Sequence, residues 1–135
     1  EVCTDQILRA ARKAGKKTAV PKVTGKRKME FYYIESLDDL KPGAFGILEP
    51  KESAKAAYCC RRENDILILV SGVSFDLSGR RIGYGGGFYD AYLQKAGEVH
   101  TIGLAFEVQM ADQIPAEAHD IRMEYVMTEK RCWKC

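Results

Sequence analysis

A glycine-rich segment, Asp76 to Leu93 (DLSGRRIGYGGGFYDAYL), holds the residues whose types and spacing best suit chemistry. Five glycines crowd the stretch from 79 to 87, namely Gly79, Gly83, Gly85, Gly86 and Gly87. Glycine lets backbone N–H groups approach an anion closely, and the start of a following helix adds partial positive charge. Arg80 or Arg81 can supply a bidentate phosphate contact. The segment predicts a phosphate-binding loop, with a flexible loop of no function as the alternative.

Two familiar phosphate-binding motifs are excluded. No Gly-Lys-Ser/Thr follows the glycines, so this is not a Walker loop. The dinucleotide fingerprint, begun at Gly83 and Gly85, would require glycine at Phe88. Tyr84 lies among the glycines and has little reason to be core, so it can stack on a planar ring. Phe88 and Tyr92 lie four residues apart and are predicted to share a core-facing side of one helix.

Two aspartates are candidate magnesium ligands. Asp90 falls in the first turn of the helix that follows the glycines, where a carboxylate alone would repel bound phosphates. A magnesium ion between them removes the conflict, since Mg²⁺ usually takes one or two carboxylates plus substrate phosphates. Asp120, in the segment AHDIRME, could reach the same face. The structural alternatives are a carboxylate that complements the helix dipole at Asp90 and a turn residue at Asp120.

Strands and helices alternate along the chain and predict an α/β domain with a largely parallel sheet. Thr4 is a candidate cap for a helix to Ala14, and Phe88 to Ala96 forms a second helix that Gly97 ends. A weaker helical pattern covers Ser53 to Tyr58. Predicted strands cover 18–20, 29–34, 65–70, 101–106 and 123–127, and a loop follows from Ser71 to Gly79.

Length and charge restrict the function classes. The 135 residues suit one domain, and the longest aliphatic run, residues 66–70, is far shorter than the roughly twenty residues of a membrane helix. The chain opens with Glu1, which predicts a processed chain or a fragment. Residues 1–28 carry a net charge of +7 and the remainder −5. The basic start would attract nucleic acid, phosphates or polycarboxylates, or is simply a solvated surface.

The five cysteines are odd in number and no signal peptide precedes them, which favours reduced thiols in a cytoplasmic protein. Cys132 and Cys135 form a C-x-x-C at the end of the chain. A structural zinc site would need further ligands, and a redox pair usually opens a helix, so a frayed tail with free thiols is predicted. His100 and His119 are predicted to be surface or turn residues.

The sequence resembles the 5-formyltetrahydrofolate cyclo-ligase (methenyltetrahydrofolate synthetase) family. SGVSFDLSGRRIGYGGGFYDAYL matches its pattern PGxxFDxxGxRLGYGGGYYDxxL, with Ser71, Ile82 and Phe88 as departures. Upstream, EVCTDQI, GKKTAVPKV, MEFYYI and FGILEP are similar in order, and IGLAFEVQMADQIPAEAHDIRMEYVMTE matches the ending. The resemblance covers nearly the whole chain, treated as one domain of residues 1–135. Family members carry roughly fifty further N-terminal residues, including a phosphate-contacting helix, so weak or no activity is expected of this chain alone.

The resemblance implies a three-layer α/β/α fold and an ATP- and Mg²⁺-dependent ligase that converts 5-formyltetrahydrofolate to 5,10-methenyltetrahydrofolate, ADP and phosphate. It assigns magnesium to Asp90 and Asp120, and the folate to Glu1 and the loop of Gly83, Tyr84, Gly85, Gly86 and Gly87. It assigns ATP to Arg81, Ile82, Gly83, Tyr84, Gly85, Gly86, Gly87, Phe88 and Tyr89. The basic residues near 16–28 would meet a polyglutamate tail. No protein nucleophile, nucleic acid or membrane is implied.

Two other classes stay open on the residues alone. One is a nucleic-acid-binding module that uses residues 9–28, although its first aromatic is Phe31 and such modules interleave aromatics with basic residues. The other is a sugar-phosphate isomerase or acyl-transferase on a similar fold, which would need a general base or nucleophilic carboxylate and no ATP.

Overall fold

The structure, a computed structural model, describes residues 1–43, 46–55, 65–115 and 117–135. It is a mixed α/β protein with several small sheets and few helices. Its contacts fall into two compact units, one formed by Glu1–Val2 with the described residues of 59–135, the other by those of 3–58. No helix in the described ranges is long and apolar enough to cross a membrane.

The unit within residues 3–58 is a helix with two antiparallel strand pairs. Its elements are α1 (Asp5–Lys13), β1 (Thr18–Gly25), β2 (Lys28–Ile34), β3 (Leu40–Pro42) and β4 (Leu48–Pro50). The predicted first helix is confirmed, and it ends before Gly15, whose φ of +76° suits glycine. β1 continues four residues beyond Pro21 because, among the described residues, it pairs only with β2, and a missing N–H is tolerated on an edge strand. The weak helix predicted at Ser53–Tyr58 lies partly outside the described residues.

The other unit contains the remaining elements: β5 (Leu67–Val70), β6 (Ser74–Phe75), β7 (Arg81–Ile82), α2 (Phe88–Ala96), β8 (His100–Leu104), β9 (Tyr125–Met127) and β10 (Cys132–Lys134). Its main sheet has the order β10-β9-β8-β5, in which β5, β8 and β9 are parallel and β10 is antiparallel to β9. Val70 in β5 and Val126 in β9 are fully buried, whereas Leu67 at the start of β5 is exposed, so the aliphatic run of β5 is not buried along its whole length. The prediction of a largely parallel sheet holds for this sheet.

Helix α2 connects the carboxyl end of the β5 region to the start of β8. Its predicted bounds are confirmed at both ends, and Gly97 follows it with a φ of +77°. Leu93 and Ala96 form its buried side. The prediction that Phe88 and Tyr92 are core residues is wrong, since both are only partly buried. The buried residues of the helix instead lie one and four positions after Tyr92.

The stretch from Ser71 to Gly79, predicted to be a loop, contains the first strand and the turn of a small hairpin. β6 and β7 pair antiparallel, with Ser74 opposite Ile82 and Phe75 opposite Arg81. The Phe75 side chain is fully buried against Gly72 and Gly103, where any Cβ would collide with its ring. Glycine in the sheet at 103 therefore makes room for the hairpin's one large anchor.

The end of the chain is ordered, so the prediction of a frayed C-x-x-C tail is wrong. Cys132 and Lys134 pair with β9, and the Cys135 N–H donates to the Glu124 carbonyl at 2.8 Å. Both thiols are free, as predicted. Partial burial, with the Asp76 carboxylate nearby, raises the pKa of the Cys135 thiol, which disfavours the reactive thiolate.

Candidate active site

The glycine loop, residues 83–87, joins β7 to the start of α2. Its position is fixed by the hairpin, because the Val73 N–H donates to the Ile82 carbonyl at 2.7 Å and returns the chain beside the end of β5. The loop therefore follows the carboxyl edge of a parallel strand, where open α/β sheets bind their ligands. The prediction that the loop lies between a buried strand and a helix is confirmed, with the hairpin inserted before it.

Three of the four glycines of this loop, Gly85, Gly86 and Gly87, answer a local steric or backbone demand. Gly85 and Gly87 adopt φ values of +86° and +60°, which side chains with a Cβ rarely take. A Cβ on Gly86 would enter the Phe88 ring, and one on Gly83 would lie 2.9 Å from an Arg81 Nη. A Cβ at Gly85 would meet nothing within 4 Å, so this position faces open space.

The backbone of the glycine loop is free to bind an anion. Among the described residues, no N–H group of 83–87 donates to another residue. α2 begins directly after Gly87, and its first-turn N–H groups have no partners inside the helix. The loop thus supplies donors, and the adjoining helix start adds a partial positive charge. Such an arrangement suits phosphate.

The two arginines of the hairpin have different carboxylate partners. Arg81 Nη2 donates to Asp90 Oδ2 at 2.7 Å, and the Arg81 guanidinium lies over the Tyr89 ring at 5.5 Å. Arg80 lies 3.9 Å from Asp76. Both arginines keep a buried Nε–H for which the described residues offer no acceptor. Arg81 is therefore the arginine that lies with the glycine loop and the predicted magnesium ligand.

Asp76 is a buried carboxylate that the sequence reasoning did not single out. Its Oδ1 accepts the N–H groups of Ser78 and Arg80 at 2.9 and 3.0 Å, and its Oδ2 accepts that of Ile114 at 2.9 Å. It thus closes the turn between β6 and β7 and ties it to the segment before β9. The sequence Asp-x-Ser-Gly is typical of such side-chain-capped turns and was the available signal.

Polar contacts also join the loops at the carboxyl edge. Gln109 Nε2 donates to the carbonyls of Gly72 and Val73 at 2.9 and 3.1 Å, which ties the loop after β8 to the loop after β5. Burial raises the pKa of the Tyr89 hydroxyl, although its hydrogen bond to Ser71 acts in the opposite direction. Gln109 and Ser71 were not predicted as site residues, because their partners are distant in sequence.

The residue after Asp120 contacts Asp90, since the Ile121 N–H donates to Asp90 Oδ1 at 3.3 Å. Asp120 Oδ2 itself accepts the Glu117 N–H at 2.8 Å. The described residues contain no cluster of three or more metal-ligating side chains. Two carboxylates are what Mg²⁺ takes when substrate phosphates complete its shell. The donor set therefore fits Mg²⁺ that arrives with a nucleotide rather than a site built wholly from protein.

The remaining predicted residues lie as follows. Tyr84 is 67% exposed within the loop, as expected of a side chain that is not core. The Glu1 charge is close enough to Tyr89 to raise the pKa of its hydroxyl, which brings the chain start near the loop. His100 and His119 are exposed and pair with acidic side chains, confirming surface roles. The basic residues of 9–28 belong to the other unit.

Comparison with known proteins identifies relatives over almost the whole chain. The model of the 5-formyltetrahydrofolate cyclo-ligase family matches residues 1–129. A cyclo-ligase of Escherichia coli K12 is 31% identical over 99% of this chain and 75% of its own length, and one of mouse is 29% identical over 96% and 68%.

Solved structures give the same result. The 5,10-methenyltetrahydrofolate synthetase of Aquifex aeolicus superposes with a TM-score of 0.79 at 34% identity, over 99% of this chain and 66% of that one. The chain thus spans about two thirds to three quarters of the length of these relatives. The synthetase of Mycoplasma pneumoniae, at 20% identity and a TM-score of 0.64, shares the fold.

Proposed function

The chain belongs to the 5-formyltetrahydrofolate cyclo-ligase family, and we propose that it uses ATP to convert 5-formyltetrahydrofolate to 5,10-methenyltetrahydrofolate, ADP and phosphate. The observation that carries the proposal is the set of free backbone N–H groups at 83–87, bordered by Arg81 and the start of α2. These are phosphate-binding groups, and a phosphoryl transfer requires mainly positioning and neutralisation of charge.

The chemistry needs no protein nucleophile. The formyl oxygen attacks the γ-phosphorus, and the bond to the leaving ADP oxygen breaks. N10 then attacks the activated formyl carbon, loses its proton, and the phosphate leaves with the former formyl oxygen as the ring closes. The glycine-loop N–H groups hold the phosphates in line, and Arg81 offsets the charge that develops on them.

We assign ATP to residues 81–89 and the folate to Glu1 and the glycine loop. A carboxylate at Glu1 suits the pterin because it accepts two hydrogen bonds from amino and ring N–H groups. Tyr84, largely exposed among the glycines, is available to stack on a planar ring. The lysines and arginines of 16–28 carry positive charge, which suits a polyanion such as a polyglutamate chain.

Asp90 and Asp120 would hold Mg²⁺. When bound with the nucleotide, the ion would neutralise phosphate charge and polarise the transferred group. Asp90 is supported by its place in the first turn of α2, and Asp120 by the contact of Ile121 with Asp90. We also propose a three-layer α/β/α arrangement within one domain, and a cytoplasmic location in keeping with the free thiols of Cys3, Cys132 and Cys135.

The test is a stoichiometric assay of the purified protein with ATP, Mg²⁺ and 5-formyltetrahydrofolate. We expect methenyltetrahydrofolate, followed by its absorbance, and ADP to form in equal amounts, and neither to form without ATP. Omission of folate serves as the control for adventitious ATPase. Conversion of a sugar phosphate without ATP, or nucleic-acid binding that weakens steeply with salt, would instead favour one of the other two classes.

A further inference from the structure

Both carboxylates proposed for magnesium are already engaged by donors of the protein. Asp90 accepts Arg81 Nη2 at 2.7 Å through one oxygen and the Ile121 N–H at 3.3 Å through the other. Asp120 accepts the Glu117 N–H at 2.8 Å. The Arg81 and Asp90 side chains are only 5% and 19% exposed, so water screens their attraction poorly. A metal ion at Asp90 has to displace this pair or bind beside it.

A metal ion and Arg81 compete for Asp90. Two cations a few ångströms apart in a partly buried site repel each other strongly. While the guanidinium stays on the carboxylate, the ion gains little from a negative charge that is already neutralised. Bare Mg²⁺ or Mn²⁺ should therefore bind weakly at this site.

Nucleotide phosphates offer Arg81 another partner. Its Nε–H is buried without an acceptor among the described residues, so Asp90 does not satisfy the whole guanidinium. The planar guanidinium bonds phosphate in bidentate fashion, and a Cβ at Gly83 would lie within 2.9 Å of an Arg81 Nη, which places the guanidinium against the glycine loop. Arg81 can therefore donate hydrogen bonds to a phosphate bound on the glycine loop.

We propose that Arg81 couples the binding of metal and nucleotide: it holds Asp90 until phosphate engages the guanidinium, and Asp90 is then released for the metal. The inference rests on the proposed function and adds an order of events to it. Because coupling between two ligands is reciprocal, metal tightens nucleotide binding by the same factor as nucleotide tightens metal binding. Removal of Arg81 should then act in opposite directions on the two ligands when each is added alone.

The experiment measures Mn²⁺ binding by electron paramagnetic resonance and ADP binding by calorimetry, each alone and then together. In the wild-type protein we expect saturating ADP to tighten Mn²⁺ binding at least about fivefold, the lower end of usual couplings. Arg81→Met should tighten Mn²⁺ binding in the absence of ADP by a similar factor, weaken ADP binding in the absence of metal, and reduce the coupling. Asp90→Asn should abolish the tightening of Mn²⁺ binding by ADP.

Arg131→Met is the matched control, because Arg131 also pairs with a carboxylate, Glu107 at 3.2 Å, and lies over an aromatic ring, that of Trp133. It should leave both affinities unchanged. Thermal melting checks that each variant folds, and Arg81→Gln replaces Arg81→Met if the latter does not.

The possible failures are distinguishable. Unchanged or weaker Mn²⁺ binding in Arg81→Met, with ADP still bound by the wild-type protein, would overturn the coupling and leave the proposed function standing. A folded wild-type protein that binds no ADP with or without metal would overturn the proposed function, and the coupling with it.

Discussion

Removal of the Asp76 carboxylate should destabilise the unit that carries the glycine loop. Asp76 is 1% exposed, and its two oxygens accept three backbone N–H groups. Ile114 is 2% exposed, so its N–H cannot turn to water when the acceptor is lost, whereas Ser78 is exposed and its N–H can be hydrated. Arg80 would lose its nearest negative charge, 3.9 Å away.

These contacts determine the expected loss of stability. One orphaned buried donor costs about 1–3 kcal/mol, and a lost hydrogen bond to a charged acceptor costs about 1.5–3 kcal/mol. With the Ser78 N–H hydrated, Asp76→Ala should lower the free energy of unfolding by about 3–5 kcal/mol, in the range for removing one member of a buried ion pair. Asp76→Asn keeps one carbonyl oxygen but turns an N–H₂ group toward a donor, and should cost about 2 kcal/mol.

The assay is urea unfolding followed by the fluorescence of Trp133, the chain's single tryptophan, which lies in β10 of the same unit. Asp112→Asn is the control, because Asp112 is an exposed carboxylate, and its effect should stay within about 0.5 kcal/mol. If the free energy of unfolding of Asp76→Ala is within about 1 kcal/mol of the wild-type value, the buried Ile114 N–H finds another acceptor and the proposed role of Asp76 in the turn is wrong.

Three further predictions concern the loop, its metal ligand and a surface pair. Gly85→Ala and Gly15→Ala both place a Cβ in open space at a positive φ, so each should lose about 1 kcal/mol of stability, but only Gly85→Ala should weaken ADP binding in calorimetry. Asp90→Asn leaves the buried Arg81 guanidinium without its counter-charge and should lower the unfolding free energy by about 3 kcal/mol. It should also reduce the Mg²⁺ dependence of turnover. Equal Mg²⁺ titrations of turnover in the variant and the wild-type protein would exclude Asp90 as a ligand. The hydrogen bond to Glu124 raises the pKa of His100, so its stabilising effect is complete below the ordinary pKa and is lost as pH rises through the raised one. The melting temperature of His100→Gln should therefore differ from that of the wild-type protein more at pH 5.5 than at pH 8.5, and a difference independent of pH would contradict this.

The elements that sequence reasoning predicted well are those whose signals are local. α2 was predicted from Phe88 to Ala96 because Gly87 and Gly97 bracket a run without glycine or proline. β5 was predicted from the aliphatic run at 66–70 and β8 from an apolar run, and the two strands pair in parallel, although β5 ends the described sheet and Leu67 is exposed. Their signals need no knowledge of the rest of the fold.

The elements that were missed depend on distant partners. β6 and β7 are two residues each and exist because Phe75 finds the space left by Gly103, far along the chain. β10 forms because it pairs with the edge of β9. A C-x-x-C at the end of a chain does not indicate such a pairing. A strand this short has too little periodicity to register in a sequence pattern.

The glycine loop shows where motif reasoning needs the structure. Crowded glycines predict close approach to phosphate, yet Gly86 is required by the neighbouring Phe88 ring, and Gly87 by the backbone entry into α2. Glycine content therefore reports the shape of the loop as much as its ligand. Two features of the described residues favour a bound anion. The backbone N–H groups of the loop have no acceptors, and the Arg81 Nε–H is unpaired although its Nη2 donates to Asp90. An arginine only partly satisfied by a neighbouring carboxylate can change partners when phosphate arrives, and under our proposal this second partner would join the loop to the proposed metal ligand in one site.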